Sequence, residues 1–83
     1  MKLVYFASVR EALGVGEEQL PLPQGVGTVG QLSDWLCRER GEPWCKVLGQ
    51  ERLLSAVNQE MCGPEKPLND SDEVAFFPPV TGG

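Results

Sequence analysis

The sequence predicts an α+β domain in which one main helix covers one face of a mixed sheet. Three observations lead there. Apolar, strand-forming runs open and close the chain, at residues 2–7 and 74–77. The best helical pattern lies between them, from Thr28 to Arg40. A length of 83 residues leaves room for one small core and no second domain.

Residues 2–7 read as a strand with Leu3, Tyr5 and Ala7 on one face and Val4 and Phe6 on the other. Both faces are apolar, as in a central strand. Ser8 is placed to cap a helical turn through residues 9–13, which Gly14 would end. Residues 17–22 form a short strand. Pro21 lacks a backbone donor, so this strand belongs at an edge or ends early. Pro23, Gly25 and Gly27 make the following loop.

Thr28 then opens the helix. Thr28-Val29-Gly30-Gln31 has the form of a capping box, in which Thr28 and Gln31 satisfy each other's amides. Val29, Leu32, Trp35 and Leu36 fall on one stripe at helical spacing. Gly41 follows the polar last turn as a C-terminal stop. Gly30 costs the helix about 1 kcal/mol against alanine. Either packing offsets that cost or the start is loose.

Pro43 starts a short helical piece with Trp44, Val47 and Leu48 facing inward, and Gly49 ends it. Residues 53–57 read as a strand, 58–60 as its turn, and Met61-Cys62 as a short returning strand. Leu68 anchors the loop after Gly63, Pro64 and Pro67. Residues 69–72 make a polar turn before the last strand. A hairpin, a crossover helix and further strands, with the first and last strands central and parallel, make a β-grasp arrangement.

Composition narrows the function classes. Twelve acidic and seven basic residues give a net charge of -5, which argues against nucleic acid and against an anionic membrane surface. No apolar run reaches transmembrane length, and the N-terminal run is too short for a signal-peptide core, so a cytoplasmic protein is expected. There is no histidine, the commonest general base and transition-metal ligand. A self-contained hydrolase or metalloenzyme is therefore not expected. Cys37, Cys45 and Cys62 are odd in number and form no CxxC pair, so neither a disulfide scaffold nor a zinc knuckle is read, and all three are expected as buried or incidental thiols.

The end of the chain carries the strongest signal. After Phe77, Pro78 and Pro79 cannot continue a central ladder. Val80-Thr81-Gly82-Gly83 follows as a thin tip that offers an unhindered carboxylate to a narrow channel. A division into a domain at residues 1–77 and a tail at 78–83 is expected. Fraying is the bland reading of such an end. It loses weight because the tail follows the last strand almost directly.

The run Asp72-Glu73-Val74-Ala75-Phe76-Phe77-Pro78-Pro79-Val80-Thr81-Gly82-Gly83 resembles the end of the sulfur-carrier (small) subunits of molybdopterin synthase. Phe6-Ala7-Ser8-Val9-Arg10-Glu11, Ala56-Val57-Asn58-Gln59 and Pro67-Leu68 also match, and the resemblance spans the chain. It implies a ubiquitin-like β-grasp fold and a non-catalytic carrier subunit of a sulfurtransferase complex. It implies that a ubiquitin-activating-like adenylyltransferase uses ATP to adenylate the Gly83 carboxylate, with Gly82 beside it. No cofactor is permanently bound. Sulfur from a persulfide donor system replaces the adenylate to give a thiocarboxylate. The tail then enters the large synthase subunit and donates sulfur to cyclic pyranopterin monophosphate. The family assembles as two small and two large subunits.

The resemblance also implies a partner-facing set, Phe6, Met61, Phe77 and Pro78, with Val80 and Thr81 along the tail. Sequence alternation permits it, since Leu3, Tyr5, Val74 and Phe76 are left for the helix side. The competing reading of Phe6 and Phe77 is plain core. Met61 replaces a branched aliphatic residue but stays apolar and adaptable. Glu51, Asp70, Asp72 and Glu73 fit either basic partner residues or a solvated face. Two other functions remain open: a carrier for thiazole synthesis, tRNA thiolation or protein modification, and an interaction module with an unused tip.

Overall fold

A computed structural model describes residues 1–79. Its elements run β1 (Lys2–Tyr5), α1 (Ala7–Leu13), β2 (Glu17–Gln19), α2 (Val29–Arg40), α3 (Trp44–Leu48), β3 (Leu54–Val57), β4 (Glu60–Cys62) and β5 (Glu73–Phe77). The five strands form one sheet in the order β2-β1-β5-β3-β4. β1 and β5 are parallel at its centre, and the other pairs are antiparallel. This is the expected β-grasp layout, with β2 at an edge. Among the described residues, no helix is long and apolar enough to cross a membrane.

The core lies between the sheet and α2. Leu3, Tyr5, Val74 and Phe76 alternate inward from the two central strands and are almost fully buried. Val29, Leu32 and Leu36 meet them from α2, with Val9, Val47, Leu48, Val57 and Leu68 closing the sides. Trp35 and Trp44 pack at the margin of the core.

Three local readings are corrected. Ser8 does not cap α1: Phe6 is the N-cap, with no side-chain hydrogen bond. The turn is made by backbone instead. Ala7 takes φ 50°, and the Phe6 carbonyl accepts from the amides of Val9 and Arg10. Ala7 therefore belongs to α1 and not to β1. β2 ends at Gln19, short of Leu20 and Pro21. The third concerns sulfur: Cys37 and Cys45, read as separate thiols, form a disulfide with Cα atoms 4.4 Å apart. Gly41, with φ 66°, lies between them where α2 gives way to α3. A pairing that depends on that reversal leaves no trace in a count of cysteines. Cys62 is a free thiol.

The helix start is as expected, with one change. The Thr28 hydroxyl accepts from the Gln31 amide, but Gln31 Oε1 accepts from Gly27 N–H, one residue before the cap. The question raised by Gly30 is answered by packing. Its N–H donates to the Pro64 carbonyl at 2.8 Å, and a Cβ there would sit 3.1 Å from Pro64 Cβ.

The β3–β4 turn is tighter than residues 58–60. Val57 pairs with Glu60, leaving Asn58 and Gln59 as a two-residue loop with φ 52° and 69°. The Asn58 side chain clamps this turn to the last loop, donating to Asp72 Oδ1 and accepting from the Glu73 amide. The Asn69 amide and then the Asn58 amide group hold the Asp72 carboxyl below the usual carboxylate range.

One polar cluster ties the helices to the sheet edge. The Tyr5 hydroxyl donates to Glu18 at 2.8 Å, and Arg40 meets both Glu18 oxygens at 2.8 Å. The Arg40 guanidinium lies 4.4 Å from the Trp44 ring centroid, and Trp44 meets Tyr5 edge-on at 5.5 Å. Burial first, then Glu18, push the Tyr5 hydroxyl well above its ordinary pKa. The hydrogen bond from Arg40 chiefly, and that from Tyr5, hold Glu18 below its ordinary 4.5 against partial burial. A depressed folded-state pKa gives stability that is complete above the ordinary value and is lost as pH falls through the folded one. Melting temperature is thus expected to fall on acidification below about 4.5, and Glu18→Gln should flatten that limb. The cluster is partly solvated, so the effect is modest. An unchanged acid limb in Glu18→Gln would assign acid sensitivity elsewhere.

Candidate functional site: an apolar sheet face at the root of the tail

The sheet face opposite α2 is built from the other half of the strand alternation. Register places Glu17, Val4, Ala75, Ala56 and Met61 in one row across all five strands. Three small residues, Val4, Ala75 and Ala56, make the floor. One step toward the end of β5, Phe77 pairs with Leu54. Phe6 joins this end because its N–H donates to the Phe76 carbonyl at 3.1 Å, extending the parallel ladder past Tyr5.

The result is an open apolar hollow of about 400 Å³, with Phe6, Phe77 and Met61 among the side chains around it. Phe6 is 48% exposed and Met61 63% exposed, the two large apolar side chains left in solvent among the described residues. Phe6 and Phe77 meet edge-on with centroids 6.4 Å apart. The core reading of Phe6 is therefore excluded, and Phe77 is half-buried against it.

A second hollow of about 410 Å³ adjoins the first and is lined by Phe6, Ala7, Phe77, Pro78 and Pro79. Pro78 thus lies beside the aromatic pair. Ala7, whose positive φ turns the chain off β1, lines this hollow too; sequence offered no sign of it. Val80, Thr81, Gly82 and Gly83 lie outside the described residues.

The opposite end of the face is ion-paired. Lys2 Nζ lies 3.1 Å from Glu17 and 3.8 Å from Glu73, and Glu17 chiefly raises the Lys2 pKa. The acidic residues thus have local partners. Asp70 accepts from the Leu22 amide, Asp72 from Asn69 and Asn58, and Glu73 pairs with Lys2. Glu51 sits away from this face, in the loop beside a hollow lined by Val29, Gly30 and Pro64. Cys62 pairs across the ladder with Ser55 at the β4 edge.

Comparison with known proteins agrees with this architecture. The model of the ThiS family matches residues 3–83. The molybdopterin synthase sulfur carrier subunit of Escherichia coli is 41% identical over 83 residues, covering 100% of this chain and 99% of the relative. That of Haemophilus influenzae is 35% identical over the same coverage. Among solved structures, the putative molybdopterin converting factor subunit 1 of Pyrococcus furiosus superposes with a TM-score of 0.71 at 29% identity, covering 95% of each chain. The small archaeal modifier protein 1 of Haloferax volcanii gives 0.75 at 25% identity, covering 96% of this chain and 97% of its own. The chain belongs to the ThiS family, among the ubiquitin-like sulfur-carrier subunits of molybdopterin synthase.

Proposed function

We propose that this chain carries sulfur as a thiocarboxylate on Gly83 and delivers it inside molybdopterin synthase. The observation that supports this most directly is the continuity of an exposed apolar face with the root of a Gly-Gly tail. A scaffold at residues 1–77 presents the face, and a tail at 78–83 carries the chemistry.

A carboxylate is a poor electrophile. The Gly83 carboxylate attacks the α-phosphorus of ATP within a ubiquitin-activating-like adenylyltransferase, and pyrophosphate leaves. The outer persulfide sulfur of the donor system then attacks the acyl carbon and AMP leaves; a thiolate of the donor system attacks the donor's own sulfur in this acyl disulfide, so the donor ends as a disulfide and the thiocarboxylate leaves. The thiocarboxylate enters the large subunit and donates sulfur to cyclic pyranopterin monophosphate. Two carriers serve each dithiolene, in keeping with an assembly of two small and two large subunits. Phe6, Met61, Phe77 and Pro78 dock the scaffold, Val80 and Thr81 meet the partner along the tail, and Gly82 lets the tip pass. A cytosolic location goes with this reading.

The test is intact-mass spectrometry after incubation with ATP, the activating enzyme and a sulfur donor. The expected gain is that of sulfur replacing oxygen, mapped to Gly83 and lost with large subunit and pterin precursor. A control carrier that loads while this chain stays unmodified would overturn the reading. Loading without discharge to the pterin system would move the chain to thiazole synthesis, tRNA thiolation or protein modification.

The docking face is tested separately. Met61→Asp puts a charge in the apolar hollow and is expected to weaken large-subunit binding about tenfold or more. The melting temperature should hold, because Met61 is 63% exposed. Unchanged affinity by calorimetry would remove Met61 from the interface.

A further inference from the structure

We propose that Cys37 and Cys45 are a reversible dithiol–disulfide pair, a redox modification site whose state decides how firmly the α2–α3 corner is held. Nothing in the sulfur-carrier reading uses these residues, and the proposal stands apart from it.

Both cysteines are partly buried and keep some surface in solvent, a route for small thiols and disulfides. They stand on different elements, Cys37 in α2 and Cys45 in α3, and the bond closes the turn through Gly41. Beside the cross-link, the Glu42 carboxylate holds the corner by accepting from the Lys46 amide at 2.8 Å. α3 is five residues long, and its N-cap, Pro43, contributes no side-chain hydrogen bond. Isolated helices of such length are unstable in water. What fixes this one is the burial of Val47 and Leu48, the Trp44 contacts with Tyr5 and Arg40, the Glu42 bond to the Lys46 amide, and the cross-link. α3 also packs against α1, which begins directly after Phe6. Cys62, on β4 beside Ser55, has no sulfur partner and serves as an internal control.

The oxidant is a small-molecule disulfide. One thiolate of the pair attacks a sulfur of RSSR; its S–S bond breaks and RS⁻ leaves with the electron pair. The second protein thiolate attacks the protein sulfur of this mixed disulfide and expels the second RS⁻. Two protein thiols lose two electrons, RSSR becomes two RSH, and the two protein protons end on them. A compartment that keeps thiols reduced holds such a pair open until an oxidant arrives.

The experiment equilibrates the full chain across ratios of reduced to oxidised glutathione, traps free thiols with a maleimide, and maps the label. In parallel, amide hydrogen exchange is followed in the two end states. Cys37 and Cys45 are expected to lose labelling together in one transition, without retained glutathione. Reduction is expected to speed exchange across residues 41–49 about tenfold or more, leaving β1 and β5 unchanged. Cys37→Ser should instead leave Cys45 carrying glutathione. Labelling of Cys37 and Cys45 throughout, a stable glutathione adduct on either in the unaltered chain, or equal exchange at 41–49 in both states would each overturn the proposal.

Discussion

A chain ending at Gly82 is expected to accept no sulfur and yet to melt as the full chain does. The two halves of this result have separate causes. Loading needs an acyl carbon at one distance from the scaffold, and loss of one residue withdraws the carboxylate by about 3.5 Å. Misplacement by even an ångström from a productive geometry costs about a hundredfold, so removal of a whole residue should leave no measurable loading. Melting depends on the core, whose buried members among the described residues lie between Leu3 and Phe76. The check is intact mass after activation, alongside calorimetric melting and large-subunit binding. Retained loading would dismiss Gly83 as the carrier atom's home. A lowered melting temperature would show that the tail belongs to the fold, against the division at residue 77.

The second large effect concerns α2. Leu32→Ala is expected to destabilise the domain by about 2–5 kcal/mol, the usual cost of removing a buried leucine side chain. Leu32 is fully buried at the middle of the stripe that meets Leu3, Tyr5, Val74 and Phe76. An 83-residue domain has a total of roughly 4–12 kcal/mol at 0.05–0.15 kcal/mol per residue. The variant therefore approaches the edge of folding, whereas a substitution on the opposite sheet face does not. Urea unfolding decides the matter: a midpoint close to that of the parent would mean that α2 is not the keystone of the core.

The sequence was most legible where one physical signal dominated. The inward set Leu3, Tyr5, Val74 and Phe76 followed from period-two alternation, and all four are buried. The cap at Thr28 and the stop at Gly14 followed from residue chemistry, and both stand. Alternation alone could not say whether Phe6 and Phe77 faced solvent or a second layer. That depends on whether anything covers the outer face, and the pattern within a strand is silent on it. The strand pattern at 17–22 held no sign of the Glu18 cluster, because its partners, Tyr5 and Arg40, lie 13 and 22 residues away. The cysteine pairing, only eight residues apart, was hidden because it depends on the chain reversal at Gly41. Ala7 misled in another way: it continues the apolar alternation of residues 2–7, yet its left-handed φ takes the chain off β1 and into α1.

The placement of β5 sets a geometric demand on every partner. It lies between β1 and β3, hydrogen-bonded on both sides, so its end cannot swing out. From that fixed post, residues 78–83 extend at most about 20 Å, at roughly 3.3 Å each. On the proposed reading, each enzyme that acts on Gly83 must bring its reaction centre within that radius of Phe77, and any two that dock on the same aromatic pair must take turns.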